Sequence, residues 1–202
     1  RAGAASALYA QLARTDLPAL RKAALLAELP RYPSPAAGPL LLAAVRHPDP
    51  AVRLAAIDGV AALATPEQQV QVLAPMLADG RRAVRLAAAW QLVQLPAELR
   101  QGLASLPATI HEYEQAQRSQ LDRAEALTNL ASLFQLTQRT QDVEPTLRQA
   151  LRRNPHFHPA RLALADQRAH EVAGLDLVGQ VDRWRRAFGL AGGDELIKGL
   201  AK

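Results

Sequence analysis

Apolar residues recur three and four positions apart along much of the chain. Val52, Ala55, Ala56, Gly59, Val60 and Leu63 fall on one face of a helix. Asp49 and Pro50 stand just ahead of that helix. An Asp oxygen can accept from the free N–H groups of a first turn, and Pro is tolerated there. The pattern returns at Val84, Ala87, Ala88, Leu92 and Leu95, with Gln91 where Gly59 stood. A weaker form begins at Leu20, with Glu28 in place of Val60. One Arg is shared by the three segments and recurs every 32 residues, as Arg21, Arg53 and Arg85. Leucine-rich stretches at Pro39–Val45 and Gln71–Leu77 are related by the same interval. Each unit therefore predicts two helices, and Pro75 is expected to bend the last turn of its own.

The segments "HPDPAVRLAAIDGVAAL" and "ADGRRAVRLAAAWQLVQL" resemble HEAT repeats, whose second helix opens with an Asp-containing turn and a Val-Arg pair. The resemblance implies an all-α solenoid of stacked antiparallel helix pairs over residues 1–95. It also implies an Asp–Arg ladder. Asp79 stands six residues before Arg85; His47 holds that place in the previous unit, where Asp49 is the substitute acid.

Near Pro96 the rhythm changes. Residues 96–121 read as a polar helical connector or partial repeat, with a break expected at Pro107. Residues 124–157 then form a 34-residue unit, the tetratricopeptide length. Leu127, Leu130, Ala131 and Phe134 fit the first helix of that family, and Val143, Leu147, Ala150 and Pro155 the second. Val143 is larger than the usual Ala, and Gln138 sits where a turn Gly is common. A degenerate second unit starts at His158. The expected division is tetratricopeptide-like repeats over 122–190 and a terminal capping helix over 191–202, opened by Asp194 and Glu195. The order of the two repeat types also resembles the C-terminal solenoid region of bacterial multihaem c-type cytochrome proteins. That resemblance implies a periplasmic or exported parent. The haem-attachment motif is missing from these residues, so no cofactor is expected in this chain.

Composition narrows the chemistry. Aromatics make up 4% of the 202 residues, and Ala supplies much of the apolar fraction, which suits closely approaching helices. The formal charge is +5, almost all of it from Arg, with lysines only at 22, 198 and 202. A basic HEAT-like surface binding nucleic acid is one alternative, but the aromatic platforms and motifs of such modules are missing. The chain has no cysteine, which removes disulfides, thiol catalysis and cysteine metal sites. It opens at Arg1 without an initiator Met, and is expected to be a processed chain or a piece of a longer one. No run of apolar residues reaches membrane-span length.

Candidate sites follow from these patterns. Arg21, Arg53 and Arg85 are expected to be structural rungs. The tetratricopeptide resemblance implies a groove lined by Glu125, Thr128, Ser132 and Gln135, then Leu162 and Asp166. No groove Lys is available to clamp a peptide carboxylate. His156 and His158, with His170 downstream, have a spacing at which imidazoles can share a metal, but no carboxylate completes the set, so no metal site is expected. His111, Glu112 and Glu114 are expected on a solvated helix face, and Trp90 and Trp184 against neighbouring helices. No phosphate loop, nucleophile elbow or carboxylate pair is visible. The function expected is non-catalytic protein–protein interaction, with a protein, a peptide or another domain of its own parent chain.

Overall fold

The computed structural model describes residues 2–169. His170, Trp184 and the capping helix expected over 191–202 lie outside the described residues. Every regular element among the described residues is helical. The chain divides into two compact units, residues 1–120 with 136–138, and residues 121–135 with those from 139 onward.

The first unit holds α1 (Ala2–Leu12), α2 (Ala19–Leu26), α3 (Ala37–Ala44), α4 (Pro50–Leu63), α5 (Pro66–Leu73), α6 (Arg82–Val93), the short α7 (Ala97–Arg100) and α8 (Leu106–Arg118). The second helices of successive pairs stack in order: α4 packs on α2, α6 on α4, and α8 on α6. This is an α-solenoid stack of the HEAT-repeat kind. Its interior is built from Leu26, Leu29, Val52, Ile57, Leu73, Val84 and Leu92, each essentially without solvent exposure. A helix pair cannot hide such a stripe alone, so each pair completes its neighbour.

Local chemistry explains where the helices begin. Asp49 caps α4, accepting from the Ala51 N–H at 2.8 Å, with Pro50 in the first turn. At α5 the Thr65 hydroxyl accepts from the Gln68 N–H, and the Gln68 side chain accepts in return from the Thr65 N–H. This reciprocal capping box satisfies two donors that would otherwise be orphaned. Pro75 ends the α-helical part of its segment: α5 stops at Leu73 and a 3-10 helix, Ala74–Ala78, replaces the last turn. Pro107 lies in the first turn of α8, so the expected break precedes it.

Gly59 leaves room on α4 for the Leu41 side chain of α3. A Cβ built there would sit 2.5 Å from Leu41 Cδ2. Only a missing side chain lets the buried Leu41 pack so closely onto α4.

The second unit holds α9 (Ala124–Leu136), a 3-10 turn Thr140–Asp142, α10 (Val143–Arg153) and a helix over residues 158–169, called α11. Leu127, Leu130, Phe134, Leu147, Ala150 and Ala160 form its core. Gln138 adopts φ 60°, the left-handed conformation favoured by Gly. The Arg139 N–H reaches back to the Phe134 carbonyl at 2.8 Å, which makes a Schellman closure of α9. The Arg139 guanidinium lies 4.1 Å from the centre of the Phe134 ring and supplies the side-chain contact that accompanies this motif. Gln138 is exposed, so its side chain packs on nothing that Gly would forfeit. Gln138→Gly is therefore expected to raise stability by about 1 kcal/mol, read as a higher urea midpoint. A lower midpoint would show that the left-handed residue is not strained.

Candidate functional site

The repeated arginines were the first expectation, and two of the three share one geometry. Arg53 Nη1 donates to the carbonyls of His47 and Pro48 in its own turn, at 2.8 and 2.9 Å. Its other edge faces Asp79 of the following unit. Nη2 donates to Oδ1 at 2.9 Å, and Nε lies 2.8 Å from Oδ2, at an angle too poor for an aligned hydrogen bond. Each side chain is 13% exposed. Arg85 repeats the arrangement one unit on. Its Nη1 donates to the Asp79 carbonyl at 2.8 Å, and its Nε and Nη2 donate to the two carboxylate oxygens of Glu112 at 3.1 and 2.6 Å.

Asp79 is thus paired across units with Arg53, while Arg85 takes only its backbone oxygen. This corrects the pairing of Asp79 with Arg85 expected from their spacing. Glu112 is likewise not on a free solvated face: Arg85 and Arg82 both close on it. Its carboxyl is held below the ordinary value, chiefly by the hydrogen bond from Arg85 and then by the charges of Arg85 and Arg82. Burial pushes the Asp79 carboxyl up, but the hydrogen bonds from Arg53 and the Arg81 N–H, with the charges of Arg53 and Arg85, outweigh it and hold the group low.

Arg21 does not join them. It is exposed, and no ion pair holds it among the described residues. The cause is a shift of register. In α2 the buried residues are Ala23 and Leu26, whose aligned residues in α4, Ala55 and Asp58, are not buried. Leu20, aligned with the fully buried Val52 and Val84, is 78% exposed. The acid is missing too. His47 holds the place of Asp79 and copies only its local bond, accepting from the Asp49 N–H as Asp79 accepts from the Arg81 N–H. Asp49 caps α4 and does not substitute for the absent carboxylate.

Trp90 lies on α6 against Tyr113 of α8. The rings are stacked, with centroids 5.2 Å apart and planes 15° from parallel. Burial raises the Tyr113 phenol to about 12. Trp90 therefore serves packing between successive second helices.

An open groove of about 970 Å³ runs between α3 and α5, with the end of α4 as its floor. Leu41, Leu42, Val45, Val60, Val72 and Met76 line it; Arg46, Gln68 and Gln71 stand among them. Leu42 is 49% exposed. Asp79 also borders the groove, but its carboxylate is already taken by Arg53. An apolar trough with a few polar groups has the lining on which the apolar face of a helix can lie.

In the second unit, Glu125, Thr128, Ser132 and Gln135 share one face of α9. The Thr128 and Ser132 hydroxyls donate to the carbonyls four residues back, at 2.8 and 3.1 Å. What they offer a ligand is their lone pairs. Leu162 and Asp166 sit one turn apart on α11 and are exposed. His156 and His158 are exposed as well, and among the described residues no group of three metal-binding side chains occurs. No described helix is long and apolar enough to cross a membrane.

Sequence reasoning placed Glu112 on a solvated face instead of against Arg85, and it missed the groove. Glu112 had a readable signal, since it follows Arg85 at almost the interval by which Asp79 follows Arg53. The groove had none, because it is a gap between helices distant in sequence. Comparison with known proteins agrees with the first half of this description. The family model for HEAT repeats matches residues 5–93. No curated protein matches the chain, and no solved structure does. The stack from α1 to α6 is thus HEAT-like by sequence signature and by helix packing together.

Proposed function

We propose that the chain is a non-catalytic protein-interaction scaffold, whose partner is a protein segment docked on the HEAT-like stack. The observation that carries this reading is the apolar groove between α3 and α5. HEAT repeats commonly act as interaction scaffolds, and here the polar groups that recur from unit to unit are engaged in packing. The Arg53–Asp79 and Arg85–Glu112 contacts hold neighbouring pairs together and leave those groups no acid–base work. The occupant that fits is an amphipathic helix. Its apolar side chains would cover Leu42 and Val72, and a polar edge would meet Gln68, Gln71 and Arg46.

A photo-crosslinking residue at position 42 tests this. The expected result is a crosslinked polypeptide partner in cells, lost when Val72→Glu is added, and no such adduct from the same probe at Ala13. Adducts of equal yield from both positions would overturn the assignment.

Two finer readings go with it. The α9–α10 pair is tetratricopeptide-like, supported by its 34-residue span and by the burial of Leu127, Leu130, Ala131, Phe134, Val143, Leu147 and Ala150. Its face of Glu125, Thr128, Ser132 and Gln135 offers a second, polar docking surface. The order of the two repeat types supports a bacterial, periplasmic parent of the multihaem cytochrome kind. Cys-x-x-Cys-His motifs encoded upstream in the same gene are the expected finding for that parentage.

A further inference from the structure

The basic residues of the chain are not all alike. Many are matched to an acid: Arg14 to Asp16, Arg31 to Glu28, Arg53 to Asp79, Arg118 to Glu114, Arg139 to Asp142. One segment departs from this. From residue 145 to residue 165 there is no Asp or Glu, while the same stretch carries four Arg and two His. Arg148 is taken up by Glu144 at 2.8 Å. Arg152, Arg153, His156, His158 and Arg161 remain, and all five are exposed. The acids at either border are engaged elsewhere: Glu144 holds Arg148 and Arg168, and Asp166 has an interaction of its own.

Helix electrostatics account for only part of this cluster. Arg152 and Arg153 occupy the last turn of α10, where the negative end of the helix favours cations. Arg161 occupies the first turn of α11 beside His158, where the positive end disfavours a cation. Stability alone would place acids there. The loop between the helices is tight: Asn154 Oδ1 accepts from the His156 N–H at 3.0 Å, and the Asn154 carbonyl accepts from the Phe157 N–H at 3.1 Å. Both sets of cations are therefore held at one end of the α10–α11 hairpin. Beside them Leu162 is 66% exposed.

We infer that this end of the hairpin, Arg152, Arg153, His156, His158 and Arg161 with Leu162, is a docking surface for an acidic protein segment that carries an aliphatic residue beside its carboxylates. The inference deepens the scaffold reading and rests on it, by giving the chemistry of a partner at a second place. A protein segment fits better than nucleic acid because the apolar neighbour is an exposed leucine. Single-stranded nucleic acid is bound on aromatic faces, and the one aromatic of this loop, Phe157, is half-buried in the core of the unit.

Fluorescence anisotropy with a short labelled oligoglutamate peptide containing one leucine tests it on the full chain. Binding is expected to weaken with added salt, and on the order of tenfold or more when Arg152, Arg153 and Arg161 are together changed to Glu. The same charge change at Arg14, Lys22 and Arg31 should leave affinity within about twofold. A parallel set with Gln in place of Glu keeps the comparison open if the charge-reversed chain folds poorly. Three results would overturn the inference. They are equal losses from both sets, no measurable binding of the peptide, or tighter binding of an oligothymidine of matched charge. Any of these would leave the crosslinking result at position 42 standing, so the two readings fail separately.

Discussion

Arg53→Ala is expected to cost about 2–3 kcal/mol of stability, below or at the lower end of what breaking a fully buried ion pair removes, because this pair is partly buried. The side chain does three things at once. It satisfies two carbonyls in the turn before α4, it pairs with Asp79, and it ties one helix pair to the next. Removing it leaves the Asp79 carboxylate, 13% exposed beneath the guanidinium, facing no cation of its own. Arg53→Lys keeps a charge but cannot span the carbonyls and the carboxylate together, and should lose more than half as much. Arg14→Ala removes an exposed pair and should leave the urea midpoint unmoved, as surface pairs usually do. Equal midpoints for the Arg53 and Arg14 variants would show that the cross-unit contact does not hold the stack.

The acid side of the stability profile checks the same contact. The folded-state value of Asp79 is depressed, so its contribution is present above the ordinary carboxylate range near pH 4. It is lost as pH falls through the lower folded value. Without Arg53 the largest lowering influence is gone, and the folded value rises toward the ordinary one. Arg53→Ala should therefore narrow the gap between stability at pH 7 and at pH 3, and an unchanged gap would count against the pairing.

How much of this was legible in the sequence depends on what each feature is made of. The second helices were readable because Val52, Ala56 and Val60, like Val84, Ala88 and Leu92, are both periodic and buried. Asp49 was readable as a cap because capping is local. Arg21 misled because identical residues in a gapless alignment need not share a structural register. α2 buries Ala23 and Leu26 and leaves its Arg in solvent. The partners of Arg53 and Arg85 were misassigned because a nearby carboxylate, Asp49 for Arg53 and Asp79 for Arg85, competes, in sequence, with one in the next unit. The long side chain of Arg reaches the latter, while the near turn offers its carbonyls. Gln138 was readable as a departure from a Gly position, but not as a residue that keeps the left-handed turn. The groove depends on the distance between α3 and α5, and no single residue encodes that.

Ile57→Ala is expected to be the most damaging single truncation, costing about 3–4 kcal/mol. The change deletes three carbon atoms from a side chain with no solvent exposure, worth about 2.5 kcal/mol in transfer at about 0.8 per group. The rest is the cavity left behind. That cavity cannot close easily. α4 is gripped by α2 on one side and α6 on the other, with α3 packed on it as well, and its N-terminal end is fixed by the Asp49 cap and the Arg53 contacts. Ile57→Val should cost only about 1 kcal/mol. Leu20→Ala is the informative control: a branched aliphatic on a second helix, but 78% exposed, so its loss should stay within about 0.5 kcal/mol. Urea unfolding measures the difference, and amide exchange locates it. In a stack each pair is stabilised by its neighbours, so α2, α4 and α6 should exchange faster in Ile57→Ala while α10 does not. If Ile57 and Leu20 truncations proved equally mild, Ile57 would not belong to the core of the stack, and the packing of α4 between its neighbours would have to be redrawn.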